Sequence, residues 1–476
     1  GANEVVGVEI NGILNDLIER DLVSWTGPLI KNNDKVRIIT DDARSVISSK
    51  RIAYDVIISA HTISASAVSS GAMSMVENYI LTQEAMEEYL EHLSPNGVIY
   101  ISRPETQLPK LITTLKKARL NTTGGLEQSK NNFMIFRRPP NAFESDKSFM
   151  AGIVYKKDGF TYDDIIKVKN EAALLSLDIE YDPLSDQPGV YRDLIMTEDI
   201  DAVIANYEKD IAPATDNKPF FDNNIGFSNL TLDGMLETFA QDEKGILALK
   251  DRPVAETTLL AILIQTVIIA GLFILFPLRK LKSAEKSKFS KQFLFYFACL
   301  GLGYIMLQIC LIQKFTLFLG QPVYTLLTVV STMLIASGIG SMFSIKFFAN
   351  SKKKLYIIFG IIAVLAISLG FLVPVIFESL VRLELMWRVV ISALIIAPLG
   401  FFMGMPFPIG LTLIDDRDRR FAAFAWGING FFSVIGTVTA IILAMTAGFF
   451  FVFVLTGIIY LLAMFFISRE YNLVIK

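Results

Sequence analysis

The stretch AETTLLAILIQTVIIAGLFILFPLRKLK, residues 255–282, is where this chain changes solvent. A hydrocarbon core about 30 Å thick takes about 20 helical residues to cross, and only closed helices or barrels satisfy every backbone group inside it. Six further apolar stretches follow, near 293–313, 322–347, 355–377, 386–411, 421–445 and 448–467. The spacing therefore predicts an all-α, multi-pass transmembrane domain of about seven helices over 251–476, preceded by an α/β domain over 1–250. The fifth stretch holds Pro398, Pro406 and Pro408, so it is expected to kink or to end early in an irregular turn. Small residues at Ser337–Ser341, Gly400 and Gly404, and Gly427, Gly430, Ser433 and Gly436 mark places where helices pack closely.

Composition splits at the same point. Hydrophobic residues make up 52% of the chain, and the excess lies beyond Ala255. Residues 1–252 carry 39 acids against 26 bases, whereas 253–476 carry 8 acids against 18 bases. The acidic front half argues against a nucleic-acid partner, since phosphate binding needs clustered Lys and Arg. Cys299 and Cys310 sit on one predicted membrane helix about 16 Å apart, too far to bridge, and read as small packing residues. His61 and His92 are the only histidines, with no cysteine cluster beside them, so no metal site is expected.

The front half alternates strand and helix patterns, as a parallel sheet with crossover helices does. EVVGVE (4–9), VRIIT (36–40), AYDVIIS (53–59) and GVIYIS (97–102) read as strands. Asn11 caps a helix with Ile13, Leu14, Leu17 and Ile18 at helical spacing; further helices are expected at 83–93 and 107–119, the former ending at the turn Ser94–Gly97. NFMIFR (132–137) reads as a late strand, antiparallel to the others, and beyond it the α/β pattern is vague. In such sheets ligands bind beyond the carboxyl ends of strands. Three such ends carry candidates: Glu9, whose carboxylate suits the two hydroxyls of a ribose; Asp42, which suits an adenine amino group; and Ser59 with His61. For each strand-end acid the alternative is a helix cap.

The strings GANEVVGVEIN, DDARSVI, YDVIIS and SSGAMSMVENYILTQEAMEEYLEHLSPNGVIYISR resemble the spermidine synthase branch of the class I S-adenosylmethionine-dependent transferase fold. PATDNKPFF (213–221), LIQKFTLFLGQP (311–322), GMPFPIGL (404–411) and WGINGFFSVIG (426–436) resemble a bacterial group in which such a Rossmann-like domain is fused to membrane helices. The resemblance implies S-adenosylmethionine or its decarboxylated form as cofactor, with Glu9 and Asn11 of the VEIN segment at the ribose, Asp42 at the adenine end, Ser59 beside them, and a small-molecule acceptor. It also places a glycine-rich cofactor loop ahead of Gly1, so the domain reads as N-terminally truncated.

One departure bears on chemistry. Aminopropyltransferases of this family carry D-S-S-D-P after the third strand seen here, and its acids bind the attacking amine and help remove its proton. This chain has Ala60, His61, Thr62, Ile63 and Ser64 instead. Aminopropyl transfer by that route is not expected, and His61 is the weak remaining candidate for a base in another transfer, such as methylation. Tyr79 reads as structural. The alternative function is a transporter or membrane scaffold whose α/β domain binds or senses a ligand without catalysis.

In the membrane half Gln308, Arg388 and Asn429 are the polar groups at depth, where such groups line interiors; interhelical hydrogen bonding is their simpler role. Taking loops alternately, one side of the membrane holds fifteen Lys/Arg, six of them in 278–292, and the other holds Lys314, Arg382 and Arg388. That bias places the C-terminus in the cytoplasm of an inner cell membrane. With seven complete spans the α/β domain then lies outside, where adenosyl cofactors are not found; a re-entrant fifth stretch would restore a cytoplasmic domain.

Overall fold

The computed structural model describes residues 2–27, 33–49, 52–60, 77–123, 129–138, 150–239, 253–276, 291–348, 352–412 and 419–474. The chain forms two compact units, Gly1–Ser45 with Leu259–Lys476, and Val46–Thr258.

In the first unit, strands β1 (Val5–Val8) and β2 (Val36–Ile39) pair in parallel, with Val5 opposite Val36 and Val8 opposite Ile39. Asn11 caps helix α1 (Gly12–Asp16), its side chain accepting from the Ile13 amide at 3.1 Å. The helical spacing forms as expected, but its apolar face stays in the open: Ile13 is 80% exposed, and Leu14 and Leu17 are exposed too. Periodicity fixes which residues share a face, whereas burial needs a second layer, and the described residues supply none there. A short helix α2 (Val23–Thr26) follows, and β2 leads through Asp41 and Asp42 into α3 (Ala43–Ser49).

The rest of this unit is helical. Helix Val254–Ala270, α10 in chain order, opens the series. It continues with α11 (Lys291–Leu319), α12 (Pro322–Phe348), α13 (Lys352–Leu380), α14 (Leu385–Met403), α15 (Pro406–Thr412), α16 (Arg419–Ala447) and α17 (Phe449–Val474). They provide 7 apolar stretches long enough to cross a membrane, with α14 and α15 sharing the fifth, Leu385–Thr412. The chain is built as a multi-pass membrane protein. The fifth stretch breaks at Gly404–Met405, as its prolines imply: Pro406 and Pro408 bring no N–H to continue the ladder. The buried Tyr296 hydroxyl donates to the Pro406 carbonyl at 2.6 Å, tying α11 to the start of α15.

Helix α11 packs on α16 and α17, α12 on α14, and α13 on α17. Of the glycines flagged in the sequence, Gly340, Gly400 and Gly404 sit at the α12–α14 crossing and Gly436 at the α11–α16 crossing, whereas Gly338 and Gly430 meet no neighbour. A Cβ on Gly340 would fall inside contact distance of the Phe401 carbonyl, and one on Gly404 inside that of Ser337. Gly301 meets the Asn429 carbonyl in the same way. Backbones approach this closely only where a side chain is missing, which is how helices gain contact when lipid offers no hydrophobic incentive to associate.

The second unit is a mixed α/β sheet domain. Its strands are β3 (Tyr54–Ser59), β4 (Leu93–Pro104), β5 (Phe133–Arg137), β6 (Met150–Lys156) and β7 (Asp178–Tyr181), in the order β3-β4-β6-β5-β7. β3 and β4 are parallel; β6 runs antiparallel to both β4 and β5, and β7 antiparallel to β5. The late strand read at 132–137 is β5, but it runs in the same direction as β3 and β4; the strands antiparallel to them are β6 and β7. The turn expected at Ser94–Gly97 lies inside β4 as an irregularity: Tyr54 pairs with Leu93 but Val56 with Val98, so these four residues bulge out of register.

Helices α4 (Gln83–Glu91), α5 (Leu108–Thr123), α6 (Tyr162–Leu174), α7 (Val190–Met196), α8 (Ile200–Asn206) and α9 (Leu232–Phe239) complete the unit. β5 shows how the layers form. Phe133 and Ile135 point into the larger core with Leu90, Leu111 and Leu115 of α4 and α5; Met134 and Phe136 point the other way, onto Ile165 and Ala172 of α6.

Candidate functional site

The sequence-derived candidates fall in both units. Glu9 follows β1, and its Oε1 accepts the Asn11 amide at 2.8 Å, leaving the carboxylate half-exposed at the strand end. Asn15 ties the loop down, donating to the Glu9 carbonyl at 3.4 Å and to Thr40 at 2.7 Å. Asp42, at the neighbouring strand end, caps α3 by accepting the Ser45 amide at 2.9 Å. Burial pushes its carboxyl above the ordinary value, opposed by the bonds from Ser45. Gly320, in the left-handed conformation that closes α11, lies against it: a Cβ there would stand 3.3 Å from Asp41 Oδ1 and 3.4 Å from Asp42 Cβ. Glu9 and Asp42 thus share the end of one parallel pair. Ser59, in the other unit, closes β3 opposite Ile101. His61 lies outside the described residues.

The membrane polar groups bond between helices. Asn429 donates to the Phe297 carbonyl at 3.3 Å and Ser433 to the Gly301 carbonyl at 3.3 Å, both from α16 to α11. Arg388 is buried and donates through Nη1 to the Phe318 carbonyl, 2.8 Å away, in the last turn of α11. Gln308 is half-buried on α11. Among the described residues no group of His, Cys, Asp or Glu could hold a metal ion.

A further polar cluster lies in the second unit at the carboxyl end of β4. Asp222 accepts Gln107 Nε2 at 2.8 Å and Asn78 Nδ2 at 3.2 Å, and Arg103 Nη2 stands 3.9 Å away. The Arg103 guanidinium, 2% exposed, also lies 5.6 Å from the centre of the Phe221 ring. Burial pulls it below its ordinary pKa, and Asp222 opposes the shift. Beside Asn78, burial pushes the Glu77 carboxyl up to about 7. Three of these side chains keep buried atoms without a hydrogen-bond partner: Asn78 Oδ1, Gln107 Oε1 and Arg103 Nη1 and Nη2. The PATDNKPFF string is a clip onto the start of α4. Its Ala214 carbonyl accepts the Gln83 amide, Pro219 that of Asn78, and Asp216 the Thr82 hydroxyl, at 2.8, 2.7 and 2.8 Å.

Next to this cluster opens a cleft of about 820 Å³, bounded by the Glu105–Pro109 turn, β7, the start of α7 and residues 206–209. Arg137 reaches Glu180 at 3.0 Å, Asp178 at 3.6 Å and Glu105 at 3.9 Å. The Tyr191 hydroxyl donates to Glu105 at 3.4 Å. Burial pushes the Tyr181 phenol up to about 12, and burial with Glu105 nearby drives that of Tyr191 higher still. Neither cleft nor cluster was singled out from sequence, although Arg103 and Asn78 lie in the resemblance strings and Asp222 directly follows one. The strand-end rule, applied to β4 as to its neighbours, would have found Arg103.

No protein-family model matches the chain, and no curated protein matches it.

Proposed function

We propose that this is a multi-pass membrane protein whose α/β part is a spermidine synthase-like domain that binds a small polar ligand and does not transfer aminopropyl groups. The observation that carries this reading is the use made of Asp42. Its carboxylate caps α3 and lies, half-buried, beside the Gly320 turn, which fits a structural acid better than an adenine-binding one. The replacement of the D-S-S-D-P acids by Ala60–Ser64 supports it from the chemical side. Purified full-length protein given decarboxylated S-adenosylmethionine and putrescine is expected to form no spermidine above background; robust turnover would overturn the reading.

The second reading is an adenosyl-dependent transferase. In its favour, Glu9 sits half-exposed beyond β1 and fits the hydroxyls of a ribose. On this reading Glu9→Gln weakens S-adenosylmethionine binding by about 1.5–3 kcal/mol, the range for hydrogen bonds to a charged group. Calorimetry giving equal affinity for both forms removes Glu9 from any such site.

We place the C-terminus in the cytoplasm and the α/β part on the opposite side, because fifteen Lys/Arg against three distinguish the two sets of loops. That side lacks adenosyl cofactors, so the orientation also favours ligand binding over transfer. A single cysteine on the α/β surface, in a background lacking Cys299 and Cys310, should react with an impermeant maleimide in intact cells stripped of any outer barrier. Labelling only after lysis reverses the orientation.

A further inference from the structure

We infer that the start of α14 binds the phosphate of an anionic phospholipid, held by the Arg388 guanidinium and the open amides of the helix's first turn. Arg388 is buried, and the one bond its side chain makes among the described residues runs from Nη1 to the Phe318 carbonyl. Nε is sealed without a partner, and Nη2 is neither bonded nor sealed. A helix cap needs only a donor, which a neutral side chain can supply; a full positive charge at the edge of a membrane calls for a negative one. The described carboxylates around it do not answer. Glu384, one turn back along the chain, is exposed and makes no ion pair, and Asp41, against the Gly320 turn, accepts the Asp42 amide at 2.8 Å.

The helix start offers the rest of the site. The Glu384 side chain does not cap α14, and its carbonyl takes the amides of Trp387 and Arg388 at 3.0 and 3.1 Å. Those of Leu385 and Met386 are left without an acceptor among the described residues. Helix N-termini carry partial positive charge and suit phosphate oxygens. Helical side chains lean towards the N-terminus, so the guanidinium, rooted about 4.5 Å along the axis from Leu385, is carried back towards the same amides. Depth in the membrane indicates where the phosphate comes from. α12 and α14 start on one side, because α13 returns the chain between them, and Tyr324 and Trp387 stand exposed in their first turns. Such aromatic residues gather at the level of lipid head groups. Met386 and Val323, 76% and 67% exposed beside them, present apolar surface to acyl chains. A free phosphate ion would use the guanidinium and the amides but not that surface. The inference concerns the first unit alone and does not depend on what the α/β part binds.

The test is native mass spectrometry on full-length protein in a neutral detergent, titrated with phosphatidylglycerol, phosphatidylcholine or inorganic phosphate. One phosphatidylglycerol is expected to be retained in preference to phosphatidylcholine and not to be displaced by inorganic phosphate. Arg388→Met should weaken its retention about tenfold, the loss of one hydrogen bond from a charged group, and Glu384→Gln, which removes the neighbouring negative charge, should strengthen it. Thermal melting checks that the variants fold. If Arg388→Met does not, Leu385→Pro carries the test, since proline fits the first helical position while deleting one of the two amides. The inference fails if phosphatidylcholine is retained equally, if the folded variants retain phosphatidylglycerol as wild type does, or if Glu384→Gln weakens retention. Displacement by inorganic phosphate would overturn the lipid as the source and leave a site for a soluble anion.

Discussion

Lys116 and Arg388 solve the same problem in two solvents. Lys116, 2% exposed on α5, donates to the carbonyls of Leu194, Ile195 and Thr197 at 2.9, 2.8 and 2.8 Å, closing the end of α7. Arg388, 4% exposed on α14, donates to Phe318 in the last turn of α11. Both put a cation where a helix leaves carbonyls unpaired and the dipole is negative. The ammonium places a donor on each of three carbonyls, whereas the guanidinium leaves a buried Nε without a partner. Both cations are buried, so water does not stand in for either at its carbonyls. In a membrane helix even one well-placed donor is therefore worth holding.

The largest effect expected from this comparison is that of Lys116→Met. It strands carbonyls in an apolar core, at about 3 kcal/mol in total. Urea unfolding of the α/β unit, followed by tyrosine fluorescence, should show it; a loss below about 1 kcal/mol would mean that water replaces the ammonium and the cap is dispensable. Next comes Gly340→Leu at the α12–α14 crossing, where even a Cβ has no room against Phe401. Overpacking of this kind costs roughly 1–3 kcal/mol, and here the obstacle is backbone, which yields least. Thermal melting in detergent should fall sharply, and a wild-type melt would show that the helices part easily. Smaller again is Arg388→Met, which removes one hydrogen bond but also an imperfectly paired buried charge. A net loss of about 1 kcal/mol is expected in the same assay. A loss equal to that of Lys116→Met would erase the difference drawn between the two caps.

These two residues also show what was legible beforehand. Arg388 stood out because a charge amid apolar residues is conspicuous, and Lys116 did not, because a lysine on a helix of a water-soluble fold is ordinary. The strands at 5–8, 36–39 and 54–59, the Asn11 cap, the seven apolar helices and the break in the fifth follow from local pattern, and the sequence reading placed them. The Asp222 cluster does not, since it joins Asn78, Arg103 and Gln107 to a residue more than a hundred positions away. β6 and β7 escaped notice for a related reason: their pairing with β4 and β5, and not their own periodicity, makes them strands. Ile13 and Leu17 mark the opposite limit, a correct helical pattern whose apolar face has no cover among the described residues.

The smallest effect lies at the solvent edge of the α/β unit, where charge is screened. Asp164 forms a capping box at the start of α6: its Oδ2 accepts the Thr161 amide at 3.0 Å, and its own amide donates to the Thr161 hydroxyl at 3.2 Å. Lys156 stands 2.6 Å from the same Oδ2. The Lys156 bond, then those from Thr161, hold the Asp164 carboxyl at about 2, below its ordinary 3.8. A carboxyl that binds its proton less readily in the folded state contributes stability above the unfolded value, and loses it as pH falls through the folded one. Wild type should therefore exceed Asp164→Asn in urea midpoint at about pH 5, and the gap should narrow towards pH 3 as the unfolded carboxyl takes up its proton first. The asparagine keeps an acceptor for the Thr161 amide, so it isolates the charge. A gap that stays constant over that window would assign the stability to the shape of the cap, and no gap at all would leave this half-buried pair as inert as most surface ion pairs, a sharper contrast with Lys116.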